Sequence, residues 1–176
     1  EPIRTTSVRS QVTGTLLRRA FAEGTEVQQG DLLFEIDPRP FRNALQSAEA
    51  DLQKVRVQLE TARTQVARYR TLTADQMVSK EQFEKINDTA RALEAELLSD
   101  ESRVANARLQ LEYCSIRAPL AGRTGNMGVH EGDIVRANDN GSPLVTINQL
   151  SPIYVTFGVP QQYLAALTRY RSSGAP

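Results

Sequence analysis

The sequence predicts an α+β fold in which a small β-sandwich, built from two similar halves, is interrupted by a long antiparallel helical hairpin. Three observations indicate this fold: a motif repeated near the two ends of the chain, a heptad pattern between the copies, and helix-capping residues at the joins. Because the repeat brackets the heptad segment, the helices must leave the sandwich and return to it.

The internal repeat consists of short segments that recur at one offset. The second copy lies 108 positions after the first, as from Ser7 to Ser115. Both copies are short β-branched runs punctuated by Gly, which is typical of strands and turns. Two or three strands are marginal alone, so we expect the copies to pack into one sandwich. The matching segments are 7–14 with 115–122, 23–27 with 131–135 and, after a small insertion, 30–36 with 141–147.

The segment between the copies carries a coiled-coil pattern that fits two helices. Apolar or small residues alternate at steps of four and three over residues 41–69, and again over 83–111 with a single break. Folding the first series back on the second pairs the positions without a slip, from Tyr69 with Phe83 to Phe41 with Leu111. We therefore expect two helices in one antiparallel register.

Residues at the ends of the predicted helices agree with a hairpin. Asp37 followed by Pro38 predicts an N-cap and a first-turn proline for the outgoing helix. Ser79 followed three positions later by Gln82 predicts a capping box for the returning helix. The tip should therefore lie near residues 73–78. With roughly 35 residues per helix at 1.5 Å per residue, the arm should project about 50 Å.

The repeated half-motif resembles the two halves of biotinyl and lipoyl carrier domains, over residues 7–37 and 115–148. A carrier of that kind presents its modified lysine on the turn that joins its halves, and here that turn would follow Asp37. Pro38 follows instead, and no lysine precedes Lys54. We therefore expect a lipoyl-like scaffold that carries no lipoyl group, biotin or other cofactor.

Three residues around the predicted tip form a motif. Arg68, Leu72 and Ser79 have the spacing Arg-x3-Leu-x6-Ser. This spacing resembles the hairpin-tip motif by which periplasmic adaptors, or membrane fusion proteins, of the MexA and AcrA kind bind a TolC-like outer-membrane channel. The resemblance implies that these three residues contact the channel. Taken singly, Ser79 would also fit a simple N-cap, Leu72 the end of the coil and Arg68 a solvated charge.

The last part of the chain predicts a further element. Apolar residues alternate with others over 153–159, as in a half-buried strand, and Pro160 starts a short amphipathic helix. The run 150–160 resembles the beginning of the β-barrel domain in adaptors of resistance-nodulation-division pumps. The expected organisation is a lipoyl-like domain in 7–37 and 115–148, a hairpin in 38–113, and a partial β-barrel domain in 1–6 and 149–176.

The resemblance implies a periplasmic adaptor in a tripartite multidrug efflux pump of a Gram-negative bacterium. Such an adaptor bridges a proton-driven inner-membrane transporter of the resistance-nodulation-division class and an outer-membrane channel. The resemblance further implies self-association as a hexamer, and an inner-membrane anchor in a segment that this chain lacks. Two other functions stay open, an adaptor of an ATP-driven macrolide-type or type I secretion exporter and a structural coiled-coil spacer.

Composition and isolated reactive residues argue against other classes of function. Lys+Arg and Asp+Glu both total 21, and this zero net charge disfavours nucleic-acid binding. His130 lies in a predicted turn without the Cys/His cluster or nucleophile of a metal or triad site. Cys114 is the single cysteine and is expected to be a small buried hydrophobe. Asp100, the one break in the heptad pattern, should face Leu52 as a hydrated defect of the seam. We therefore expect no metal site and no enzymatic activity.

Overall fold

The computed structural model describes residues 4–74, 78–137, 139, 141 and 143–151. Most of the expected β-barrel segment, residues 1–3 and 152–176, lies outside the described residues. The described elements are β1 (Thr5–Val8), β2 (Gly14–Arg19), β3 (Glu26–Val27), β4 (Leu32–Ile36), α1 (Arg39–Ala74), α2 (Lys80–Glu112), β5 (Ser115–Arg117), β6 (Gly122–Met127), β7 (Ile134–Val135) and β8 (Val145–Asn148).

The strands form two antiparallel sheets, with the orders β1-β8-β6-β3 and β5-β4-β2-β7. Each sheet takes two strands from each copy of the repeat, so neither half makes a complete sheet alone. If each strand of the first half (β1–β4) is exchanged with its counterpart in the second half (β5–β8), the strand order of one sheet becomes that of the other. The repeated sequence is therefore also a structural repeat, which confirms the prediction of one sandwich made from two halves.

The repeated Glu-Gly pairs form equivalent turns in the two halves. Gly24 has a φ of 72° and Gly132 a φ of 95°, in the left-handed region that favours glycine. The N–H of Gly24 donates to the Thr124 carbonyl at 3.1 Å, and the N–H of Gly132 donates to the Leu16 carbonyl at 2.8 Å. Each turn is thus fastened to a strand of the other half.

The core of the sandwich is apolar and continuous. Phe34 is fully buried and packs against Phe21 in an edge-to-face arrangement, with the ring centroids 5.2 Å apart. Cys114 is buried as expected, and this burial raises the pKa of its thiol. The largest fully buried side chains are Phe34, Leu16, Leu33, Ile36, Ile147, Val145 and Cys114.

The helical hairpin is inserted between two strands that pair with each other. Helix α1 has 36 residues and α2 has 33, so the arm extends about 50 Å. At its base β4 and β5 are antiparallel neighbours, and the Ile36 N–H donates to the Cys114 carbonyl at 2.8 Å. The arm therefore replaces the turn between the two halves. Neither α1 nor α2, the two helices in the described part of the chain, contains an apolar stretch that could span a membrane.

Three ion pairs between the helices define their register. Each step of seven residues along α1 is matched by a step of seven along α2 in the opposite direction, so one antiparallel register holds. In the predicted register these residues flank the seam, at positions where the helices of a coiled coil form salt bridges. Exposed pairs contribute little, so the buried seam supplies most of the attraction. The pairs are Arg63–Glu94 at 2.9 Å, Arg56–Glu101 at 3.4 Å and Glu49–Arg108 at 3.5 Å.

The buried helical residues confirm the predicted seam, but Asp100 differs from the expectation. Its side chain is only 5% exposed, and Arg103 Nη1 lies 2.9 Å from its Oδ1. Because Arg103 is one turn away on the same helix, its long side chain can cover the carboxylate while its own head stays in water. Asp100 is therefore a shielded, charge-paired residue and not a hydrated defect. The buried seam residues are Leu52, Val55, Leu59, Ala62, Ala90, Asp100 and Val104.

Strand β1 begins before the expected start of the lipoyl-like domain. Thr5 and Thr6 pair with Asn148 and Ile147 of β8, and the Thr5 hydroxyl donates to Asn148 Oδ1 at 2.8 Å. These two residues were expected in the barrel segment, since the sequence repeat starts only at Ser7. The repeat did not reveal them because the matching edge strand, β5, directly follows a helix and starts later.

The register predicts which seam positions can be joined chemically. In a Cys114→Ala background, cysteines replacing Leu59 and Leu93 should be linked within one chain by a short bifunctional thiol reagent, because these positions lie opposite each other. Intact mass and gel mobility measure the yield. The matched control pairs Leu59 with Ile86, one heptad or about 10 Å along the arm. More efficient linking of the control pair would contradict the register.

Candidate docking surface at the hairpin tip

Arg68 and Leu72 lie in the last turns of α1, one turn apart on the same face. Arg68 is exposed and, among the described residues, makes no ion pair or hydrogen bond. An exposed guanidinium at this position can donate to an external acceptor. Leu72 is half-buried, because it flanks the seam and is partly covered. It offers a smaller apolar surface than a fully displayed side chain.

Ser79 caps the start of the returning helix. Its φ of −72° and ψ of 149° are extended, and its Oγ accepts a hydrogen bond from the Gln82 N–H at 3.2 Å. This bond confirms the serine half of the predicted capping box. The side chain is exposed, and its hydroxyl still has a proton to donate. Ser79 can thus serve the helix and a partner together.

All three motif residues lie at the end of the arm that points away from the sandwich. Helix α1 ends at Ala74 and α2 begins at Lys80, so Arg68, Leu72 and Ser79 flank the connection from both sides. Residues 75–77, the centre of the predicted tip, lie outside the described residues. The described part of the tip presents a guanidinium, a hydroxyl and a partly covered apolar side chain.

The base of the arm is organised by Asp37. Its Oδ1 accepts from the Arg39 N–H at 3.0 Å, so its carboxylate caps the start of α1 as expected, although the first intrahelical bond, from the Arg42 N–H, goes to the Pro38 carbonyl and the helix begins one residue later than predicted. Its Oδ2 lies 2.7 Å from Arg39 Nη2. The Asp37 N–H donates to the Thr15 carbonyl at 2.9 Å and ties the helix start to β2. Side-chain and backbone hydrogen bonds from Arg39 lower the pKa of Asp37 from 3.8 to about 2. The bond to Thr15 therefore joins the arm to the sandwich, whereas the contacts with Arg39 are local to the start of α1.

The single histidine and the single cysteine lie in different surroundings. The His130 side chain is 88% exposed, with Nδ1 3.8 Å from Asp133 Oδ2, whereas Cys114 is buried in the sandwich. Within the part of the chain that the structure describes, no group of three or more potential metal-ligating side chains occurs.

Two apolar residues on the arm that are more than half exposed were not singled out from the sequence. Val57 is 53% exposed on α1, and Leu98 is 67% exposed on α2. Both lie outside the seam, on the sides of the helices that face away from each other. A heptad assignment carried through to these outward positions could have found them, because outward positions are normally polar.

The family model described as "RND MFP, barrel-sandwich hybrid domain" matches residues 4–148. The chain belongs to the membrane fusion proteins of resistance-nodulation-division pumps. This match covers both halves of the sandwich and the hairpin between them. It confirms the family that the tip motif and the repeat suggested.

Two curated relatives match almost the whole chain. Multidrug resistance protein MdtA of Pectobacterium carotovorum subsp. carotovorum is 38% identical over 172 residues, which is 98% of this chain and 41% of that protein. MdtA of Erwinia amylovora is 42% identical over 175 residues, which is 97% of this chain and 42% of that protein. The chain thus spans about two fifths of the length of these relatives.

Solved structures share the fold. A MacA-MexA chimeric protein that contains the Pseudomonas aeruginosa MexA alpha-hairpin domain is 34% identical, with a TM-score of 0.58, over 86% of this chain and 50% of that chain. ZneB from Cupriavidus metallidurans is 24% identical, with a TM-score of 0.61, over 86% of this chain and 63% of its own, and shows the fold alone. The predicted lipoyl-like sandwich with an inserted hairpin is confirmed.

The Asp37 contacts predict a pH-dependent stability difference. Asp37→Asn keeps an oxygen that can cap α1 but removes the charge that pairs with Arg39. Because the folded-state pKa of about 2 is below the unfolded value of 3.8, the charge contributes stability above pH 4 that is lost as the pH falls towards 2. Urea unfolding followed by circular dichroism should show a less stable variant at pH 7, with the difference shrinking towards pH 2.

Asp51→Asn serves as the control for this measurement, since Asp51 is exposed on α1 and forms no ion pair among the described residues. It should unfold like the parent chain at both pH values. A difference for Asp37→Asn that stays constant from pH 7 to pH 2 would contradict the assignment of the effect to the carboxylate charge.

Proposed function

We propose that this chain is the sandwich and docking arm of a periplasmic adaptor in a tripartite multidrug efflux pump. The adaptor is anchored to the inner membrane and bridges a proton-driven resistance-nodulation-division transporter and an outer-membrane channel. The observation that carries the proposal is the arm of about 50 Å, with the Arg68, Leu72 and Ser79 motif at its free end. The family and the multidrug resistance proteins among the relatives support it.

The proposed division of the chain follows from this role. Residues 7–37 and 115–148 form the lipoyl-like scaffold, residues 38–113 the arm, and residues 1–6 and 149–176 contribute to a β-barrel domain, apart from Thr5 and Thr6, which lie in β1. The scaffold carries no reaction and serves to aim the arm. An adaptor for an ATP-driven exporter and a plain coiled-coil spacer receive no support from the family match.

Docking would use three different contacts at the tip. The exposed guanidinium of Arg68 can donate two parallel hydrogen bonds to a carboxylate or to carbonyl groups of the channel. Leu72 supplies a small apolar anchor, and Ser79 adds a hydroxyl at the start of α2. Since Arg68 and Ser79 are exposed and Leu72 is only half-buried, these residues are free to meet a partner at little cost to the fold.

Side-by-side packing of arms is the proposed basis of the hexamer. Val57 on α1 and Leu98 on α2 face away from the seam in opposite directions. The register places residue 57 opposite 95, so Leu98 lies at nearly the same height, within about 5 Å along the arm. The outward side of α1 in one copy can therefore meet the outward side of α2 in the next, with Val57 against Leu98. Such a head-to-tail contact can close into a ring.

The tip motif predicts a loss of pumping without a loss of folding. Arg68→Asp with Leu72→Ser, placed in a complete adaptor, should abolish drug resistance in cells that depend on it, because the charge is reversed and the anchor removed. Ser79→Asp keeps the capping oxygen and should weaken resistance through its added charge. By contrast, Ser79→Ala costs about 1 kcal/mol of helix stability. Melting of the 176-residue chain is measured beside resistance.

Lys54→Asp is the matched control, since Lys54 occupies the same heptad position as Arg68 two heptads nearer the sandwich. It should leave both resistance and melting unchanged. Full resistance from the Arg68 and Leu72 double variant would reject the tip as the docking surface.

The proposed arm packing predicts specific links between copies. In a Cys114→Ala adaptor with cysteines at both position 57 and position 98, a short thiol cross-linker should produce a ladder of multimers, because each copy contributes a different residue to each neighbour. Gel electrophoresis and mass spectrometry identify the linked residues. With only one of the two cysteines, the ladder should disappear.

The control moves the first cysteine to Gln58, an exposed neighbour on another side of α1. Equal ladders from the 58 and 98 pair, or none from the 57 and 98 pair, would contradict the proposed contact between arms.

A further inference from the structure

The two edges of the sandwich on its β1 and β5 side enclose a cleft of about 440 Å³. Its walls come from equivalent parts of the two halves, because the Ser-Val-Arg that ends β1 and continues to Arg9 and the Ser-Ile-Arg of β5 are copies of one repeated motif. The lining residues are Thr6, Ser7, Val8, Arg9, Ser10, Gln11, Tyr113, Ser115, Ile116, Arg117 and Pro119.

Both strands at the cleft have an unpaired edge among the described residues. Strand β1 ends the order of one sheet, and β5 ends the order of the other. The Val8 carbonyl accepts from the Leu144 N–H at 2.9 Å, and Ala118 bonds with the loop before β4 at 2.8 and 2.9 Å. Since backbone groups alternate in direction along a strand, the N–H and C=O groups of Ser7 and Ser115 point away from their own sheets. They offer pairing positions to an additional strand.

The charge of the cleft is positive. Arg9 and Arg117 are both exposed, and neither forms an ion pair among the described residues. Arg9 donates to the Asp139 carbonyl, and Arg117 donates to the Gly30 carbonyl at 2.9 Å, so each guanidinium keeps further donors free. No carboxylate lines the cleft within the described residues.

We propose that this cleft binds an extended, acidic polypeptide segment of a partner protein. The segment pairs its backbone with Ser7 or Ser115 and places carboxylates on Arg9 and Arg117. The serine and arginine that recognise the segment occur twice, once on each wall of the cleft, because each wall comes from one copy of the repeat. The site lies on the sandwich and is distinct from the tip, so it gives the adaptor a second contact that does not depend on the channel.

The probe for this site is an acetylated six-residue peptide in which Glu and Val alternate. Added to the isotope-labelled 176-residue chain, it should shift the amide NMR signals of Ser7 and Ser115 in a saturable way, whereas the peptide with Lys in place of Glu should not. Arg9→Glu with Arg117→Glu should weaken binding at least about tenfold, because the charge-assisted hydrogen bonds are lost. Arg9→Lys with Arg117→Lys should retain part of the affinity.

The matched control is Lys54→Glu with Arg91→Glu, which makes the same change in net charge on exposed positions of the arm. It should leave the affinity within about twofold, since distant exposed charges are screened. Melting curves verify that each variant folds. An equal loss in the arm control, equal binding of the Lys peptide, or no shift of β1 and β5 signals at saturating peptide would overturn the proposal.

Discussion

The pairing of β4 with β5 is the contact on which the rest of the structure depends. It closes one sheet of the sandwich, and it also requires that the chain leaving at Ile36 return at Cys114, one strand spacing of about 4.8 Å away. Two antiparallel helices of similar length meet that requirement, because the second helix brings the chain back over the distance that the first one covers. The arm therefore extends the molecule without opening its core.

Stability and reach are supplied by different parts of the chain. The sandwich buries the large apolar side chains, whereas the arm buries only a narrow seam that includes small residues such as Ala62 and Ala90. A two-helix arm gains modestly from each turn, so its length is better explained by the distance it spans than by the stability it adds. At the base of this arm, the hydrogen bond from the Asp37 N–H to the Thr15 carbonyl ties the start of the helix to β2.

Local patterns were sufficient for the elements and for the pairing of the helices. The heptad series determined the register of the two helices, because both seams must fit along their whole length. The ion pair of Arg63 with Glu94 and its two equivalents confirm that register. The candidate tip residues could also be predicted from the sequence, since the motif lies within one short segment of the chain. The partial burial of Leu72 could not be predicted from the sequence, because it depends on how closely α2 approaches α1.

The sequence by itself determined the repeat, the strands, the helices and their caps, since each rests on spacing within a few residues. Only the tertiary structure decided that each sheet combines strands of both halves, because pairing between strands about 100 residues apart leaves no local pattern. It also decided that Arg103 pairs with the buried Asp100, and that Arg9 and Arg117 line one cleft. Each of these contacts depends on which surfaces of the folded chain face each other, so it stabilises the protein only when the whole chain has folded.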